Sequence, residues 1–163
     1  MMKSKVNFST YTYILTSIIS LALFAILIFS VRDEPTFFYV LAVYLVLIFL
    51  GLYFSPLYVI ADPKTVRAKS ILHSIKIPVK DIVSVELFQP TMGARRLFAS
   101  GGYMGYWGYF REGDVGNYRG AFGKASDCFL IRLKNGDKYV LGCEDPKAMV
   151  DYIKAHMNAT AGA

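Results

Sequence analysis

Polar and apolar positions are spread unevenly along this chain, and the pattern is simplest in its first third. Residues 11–31 carry no charge, Arg32-Asp33-Glu34-Pro35 follows, and residues 36–54 are again uncharged. As helices, at about 1.5 Å of rise per residue, the two blocks each reach roughly the ~30 Å of a bilayer's hydrocarbon core. The pattern predicts a transmembrane hairpin, with one span over 11–31, a turn over 32–35 and a second span over 36–56. Glu34 and Pro35 suit a helix start, with an acidic residue at the positive end of the dipole and proline at the first position; Ser55-Pro56 suits a stop. A cleavable signal peptide fits the first block poorly. Its apolar stretch exceeds the usual core of about 7 to 15 residues, Ser30-Val31-Arg32 offers no small-x-small site, and a second apolar block follows at once.

The spans read as an anchor, since neither contains Asp, Glu, Lys, Arg or His, the residues that mark ion and proton pathways in membranes. Lys3 and Lys5 precede the first span, Lys64, Arg67 and Lys69 follow the second, and Arg32 stands alone between them. Basic residues favour the cytoplasmic side, so residues 1–10 are expected as a cytoplasmic amino terminus, 32–35 as a short extracytoplasmic turn and 57–163 as a cytoplasmic domain.

From residue 57 the period shortens to that of strands. Candidates are 57–61, 65–72, 74–79, 83–88, 95–100, 117–122, 127–133 and 138–143, with Asp62-Pro63-Lys64 turning the first pair and Lys134-Asn135-Gly136-Asp137 the last. Asp145-Pro146 then caps a helix over about 145–158, with Met149, Val150, Ile153 and Met157 on one face. The expected fold is a transmembrane hairpin followed by a mainly-β domain: seven or eight bent antiparallel strands, closed by a carboxy-terminal helix.

Three stretches carry a family resemblance: Ile77-Pro78-Val79-Lys80-Asp81-Ile82-Val83-Ser84-Val85; Arg96-Leu97-Phe98-Ala99-Ser100-Gly101-Gly102 with the aromatic and glycine run after it; and Tyr139-Val140-Leu141-Gly142-Cys143-Glu144-Asp145-Pro146. Together they resemble the bacterial pleckstrin-homology (PH)-like domain family, especially members tethered by an amino-terminal transmembrane hairpin. The resemblance covers nearly all of 57–163. It implies a partly open barrel of two bent sheets, a place at the bacterial inner membrane, and a role in binding lipid headgroups or proteins without catalysis. Eight candidate strands is one more than the family's seven.

Two regions are candidates for that binding. The first is the basic hairpin: Lys64, Arg67 and Lys69, of which Arg67 and Lys69 share a face of an extended strand, as possible contacts for anionic lipid. Residues 57–96 hold seven Lys or Arg against three Asp or Glu, whereas 97–163 hold eight against seven. Positive charge is therefore concentrated next to the tether, where a solvated strand face beside an anionic membrane is the favoured account of it. No nucleic-acid-binding motif accompanies the charge.

The second region is the aromatic and glycine run, which holds eight of the thirteen glycines within 101–123. Neither a phosphate-binding loop nor a dinucleotide fingerprint fits its spacing. It reads as a core hairpin whose aromatics cover glycines, as an interfacial tip inserting Tyr106 and Trp107 among headgroups, or as a partner surface formed by Tyr103, Tyr106, Trp107, Tyr109 and Phe110. Chemistry is otherwise sparse. His73 and His156 lie far apart, no metal-ligand spacing or nucleophile motif occurs, and neither cofactor nor enzymatic activity is expected. If Asn135-Gly136 makes a two-residue turn, Cys128 and Cys143 face each other, but in a reducing cytoplasm they are expected as free core thiols. The sequence thus points to a membrane-anchored binding module for a protein partner or self-association, with anionic lipid as the alternative ligand.

Overall fold

The computed structural model describes residues 1–91 and 94–161, with side chains through Met157. Helix α1 (Thr10–Phe29) starts at Ser9, whose hydroxyl accepts from the Thr12 amide at 3.2 Å, and runs on into a 3₁₀ turn, Ser30–Arg32. Helix α2 (Glu34–Phe54) carries Pro35 in its first turn and ends where Ser55 N–H closes on Gly51 O at 2.8 Å, just ahead of Pro56. Thr10–Arg32 and Glu34–Phe54, 23 and 21 residues, are long and apolar enough to cross a membrane.

Ten strands occur among the described residues: β1 (Met2–Lys5), β2 (Tyr58–Ala61), β3 (Thr65–Lys69), β4 (Ser74–Pro78), β5 (Ile82–Leu87), β6 (Arg95–Gly102), β7 (Gly105–Glu112), β8 (Gly116–Phe122), β9 (Cys128–Leu133) and β10 (Lys138–Gly142). They form one sheet in the order β1-β2-β3-β4 and another in the order β5-β9-β10-β8-β7-β6. The six-stranded sheet carries a core against part of each face, supplied by alternate residues of its strands. Phe129, Ile131, Leu141 and Ala121 meet Val59, Ala61, Val66, Ala68 and Ile77 of the smaller sheet, while Cys128, Leu130, Val140, Phe122, Tyr118 and Phe110 build a second core behind them. Helix α3 (Pro146–Ala161) is capped by Asp145, which accepts from the Ala148 amide at 3.0 Å, and buries Met149, Val150 and Ile153 in the first core. The mainly-β domain with two sheets, no closed barrel and a carboxy-terminal helix agrees with the expected PH-like architecture.

Four details differ from the sequence reading. All eight expected strands are present, but β7 and β1 add two more. The β8–β10 pair is parallel rather than antiparallel. The chain leaves β8 through a 3₁₀ turn (Ala125–Asp127), places β9 one position beyond, and reverses again to fill the gap with β10. The β9–β10 turn also holds three residues, not two: Arg132 pairs with Lys138 and Cys128 with Gly142. Gly136, at φ 90, supplies the left-handed residue that follows a tight turn in such loops. That one-residue slip sends Cys128 and Cys143 to opposite faces, so they are free and buried in different cores. Finally, the core reaches back ahead of α1: β1 pairs with β2, and Val6 is buried in the first core. Residues 162–163, the end of the expected domain, lie outside the described residues.

Candidate functional site

The aromatic and glycine run folds into the β6–β7 hairpin, whose turn is Tyr103-Met104 between the paired Gly102 and Gly105. Met104 sits at φ 51, a left-handed conformation uncommon outside glycine, and its surroundings hold it there. Its N–H donates to Thr16 Oγ1 of α1 at 2.9 Å, while the Thr16 hydroxyl donates to Gly102 O at 3.5 Å. Its Sδ lies against Gly51 of α2, in the space a Cβ would take. Trp107 stacks on Phe54, the last residue of α2, with ring centroids 5.0 Å apart, and its indole N–H donates to Tyr103 O at 3.2 Å. The hairpin tip is therefore keyed into both apolar helices, with Thr16 and Gly51 each within two turns of the domain.

This placement divides the five aromatic candidates. Tyr106 and Phe110 share the face of the second core, where Tyr106 stacks on Phe122 at 5.1 Å and Phe110 on Tyr118 at 5.6 Å. Phe110 and Trp107 are buried, at 3% and 9% exposure, so neither presents a surface to a partner. Tyr103 is half-buried in the turn, and Tyr109 is the one that stands in the open. Its neighbours were not apparent from the sequence. Phe98 pairs with Tyr109, Tyr109 with Arg119 and Arg119 with Tyr139, so the four side chains form a row across β6, β7, β8 and β10. The Arg119 guanidinium lies 5.9 Å from the centroid of the Tyr109 ring. Burial, then Asp137, push the Tyr139 hydroxyl up, and Arg119 pulls it partly back. Phe98 is 75% exposed at the sheet's edge, with Leu97 beside it. The row is possible because Gly108, at φ 112, has no Cβ to strike Phe98 O and Ala99 Cα of the neighbouring strand.

The basic candidates are separated. Lys64 sits in the β2–β3 turn, at the opposite end of β3 from Lys69, and Arg67 between them is paired with Asp62. Companions come instead from β1 and β4. Register puts Lys3, Ile60, Arg67 and Lys76 in one row on the outer face of the smaller sheet, and Lys5, Tyr58, Lys69 and Ser74 in the next, with Lys3 Nζ 4.2 Å above the Tyr58 ring. The alternation Lys3-Ser4-Lys5 was the available signal for this strand. Burial raises the Cys128 thiol, and it pushes Cys143 up to about 11 against the pull of hydrogen bonds from Ser4 and the backbone at Asp145. Among the described residues, no three His, Cys, Asp or Glu side chains gather as metal ligands do.

Two bent sheets, a closing helix and a mainly open surface define a PH-like domain, a class that in general binds rather than catalyses. Residues 57–157 match the family model described as Bacterial PH domain, and the chain belongs to that family. Comparison with curated proteins and with solved structures gives no match.

Proposed function

We propose that this chain is a membrane-anchored module that recruits or regulates a protein partner at the cytoplasmic surface of the bacterial inner membrane. The observation that carries the reading is the row formed by exposed Phe98 and Tyr109 and continued by half-buried Arg119 and Tyr139. Aromatic residues and arginine are the side chains that concentrate binding energy at protein interfaces, because they combine large contact area with few rotatable bonds or several donors. The row starts on β6, an edge strand paired only with β7 among the described residues, and its Phe98 end lines a hollow with Ile19, Leu47 and Leu50 of the two apolar helices. Two apolar helices at Thr10–Arg32 and Glu34–Phe54 support the anchoring, and the basic residues beside them support a cytoplasmic domain with both termini on the same side.

A photo-crosslinking amino acid at Tyr109 or Phe98, in the full-length protein in native membranes, tests this directly. A discrete protein adduct is expected at both positions, reduced at least about ten-fold by Arg119→Glu, the loss typical of an interface hot spot. Lipid adducts alone, or a protein adduct indifferent to Arg119→Glu, would remove the row as the contact.

A further inference from the structure

A second surface lies at the foot of the smaller sheet, where the β3–β4 connection meets the end of α2. The connection is fastened there: Leu72 N–H donates to Leu52 O at 3.3 Å, and the His73 ring stacks on Tyr53 at 4.8 Å with 11° between planes. Both contacts fall within the last turn of α2, the level at which a spanning helix leaves the hydrocarbon for the headgroups. Around this connection is an open hollow of about 520 Å³, whose walls include Lys69, His73, Ser74 and Lys76. No carboxylate lines it; Asp62 stands at the opposite end of the same sheet, in the β2–β3 turn, and is occupied by Arg67. Lys5 stands in the same row as Lys69 and Ser74, adding a third ammonium. At the lip, Ile71 and Leu72 are 56% and 54% exposed.

Cations, a hydroxyl and an imidazole on one side of two exposed aliphatic side chains, all at the end of an apolar helix, match the two halves of one amphiphile. We propose that this hollow binds the phosphate of an anionic phospholipid, with Lys69 and Lys76 on its oxygens, Ser74 and His73 as hydrogen-bond donors, and Ile71 and Leu72 among its acyl chains. The assignment rests on α1 and α2 crossing the bilayer and is independent of the Phe98–Tyr109–Arg119 row. It differs from a basic-hairpin site, since Lys64 lies at the far end of the strand and Arg67 is already paired.

The test uses full-length protein reconstituted into phosphatidylcholine vesicles, with spin-labelled phosphatidylglycerol or spin-labelled phosphatidylcholine as the probe. About a thirty-fold preference for the anionic lipid at the protein surface is expected, from the roughly 1 kcal/mol that each of Lys69 and Lys76 contributes. It should fall to parity in the Lys69→Ala, Lys76→Ala double variant and persist in Lys64→Ala, which removes charge from the same sheet at the distal turn. A loss in Lys64→Ala about half, in free energy, of that in the double variant, in proportion to the charge removed, would show attraction by net charge and overturn the site. Full competition by soluble inorganic phosphate would make free phosphate the ligand and overturn the lipid assignment. Absence of preference in protein that co-floats with vesicles removes the site alone; failure to co-float removes the spanning reading and the site together.

Discussion

At the scale of single residues, the two cysteines illustrate how one position in a turn decides chemistry. Had Asn135-Gly136 formed a two-residue loop, Cys128 and Cys143 would have been directly opposed; the third residue puts the six-stranded sheet between them. Each is consequently a buried thiol that resists ionisation. For Cys143, raised from 9.0 to about 11, the unfolded chain loses its proton first as pH rises above 9. Its contribution to stability is therefore complete below pH 9 and is lost between pH 9 and about 11. The loss should be on the order of 2 kcal/mol, read as a falling denaturation midpoint across that window, and the fall should flatten in Cys143→Ala. A midpoint with the same slope in both proteins would exclude this thiol as the cause. The turn's sequence announced a hairpin, but two- and three-residue loops share its Asn-Gly signal, and only pairing along the whole strand selects between them.

Among elements, the β6–β7 hairpin and the apolar helices are the decisive pair. Glycine in the middle of a helix costs about 1 kcal/mol relative to alanine, yet Gly51 occupies the last turn but one of α2 because Met104 Sδ fills the place of its Cβ. Gly51→Val should improve the helix in isolation and still expel the hairpin tip, at a cost of about 1–3 kcal/mol from overpacking. Trp107 is the sole tryptophan, so its emission reports the event: a shift to longer wavelength as its stack on Phe54 opens, reversed when Met104→Ala is added. Unchanged emission in Gly51→Val would mean that the tip is not held at this point. Eight of the strands were legible from sequence as short strand-forming runs, the turns after β2 and β9 marked by Asp62-Pro63-Lys64 and Lys134-Asn135-Gly136-Asp137. β7 was not, because Gly105 and Gly108 read as turn residues, whereas here they let backbones approach. For the same reason the face assigned to each aromatic was hidden: the register shift between Arg96 and Phe98 sets which side chains look outward, and nothing local encodes it. The proposed basic site was legible in composition but not in membership, since Lys76 arrives from β4, beside Lys69's own strand, and Lys5 from β1, two strands away and ahead of both helices.

For the molecule as a whole, the smaller sheet is built from two distant pieces of chain. β1 contributes a strand and Val6 a buried side chain to a core otherwise made from residues after α2, and Ser9 N–H and Glu144 N–H bond to Gly123 O and Lys5 O across the same junction. Residues 57–163 alone would leave β2 as a bare edge over Val59 and Ala61. A version in which a flexible Gly/Ser linker replaces residues 10–54, keeping 1–9, should be more stable than 57–163 by about 2 kcal/mol or more, the scale of one buried aliphatic side chain plus its strand. Equal denaturation midpoints for the two proteins would show that β1 is dispensable. Because β1 and β2 are antiparallel neighbours, the two apolar helices are in effect the loop of a β-hairpin. If the two helices cross a bilayer, biogenesis has a built-in check: the sheet closes only when both have inserted, because a chain with one helix across would hold β1 and β2 on opposite sides and leave β2 an unfinished edge.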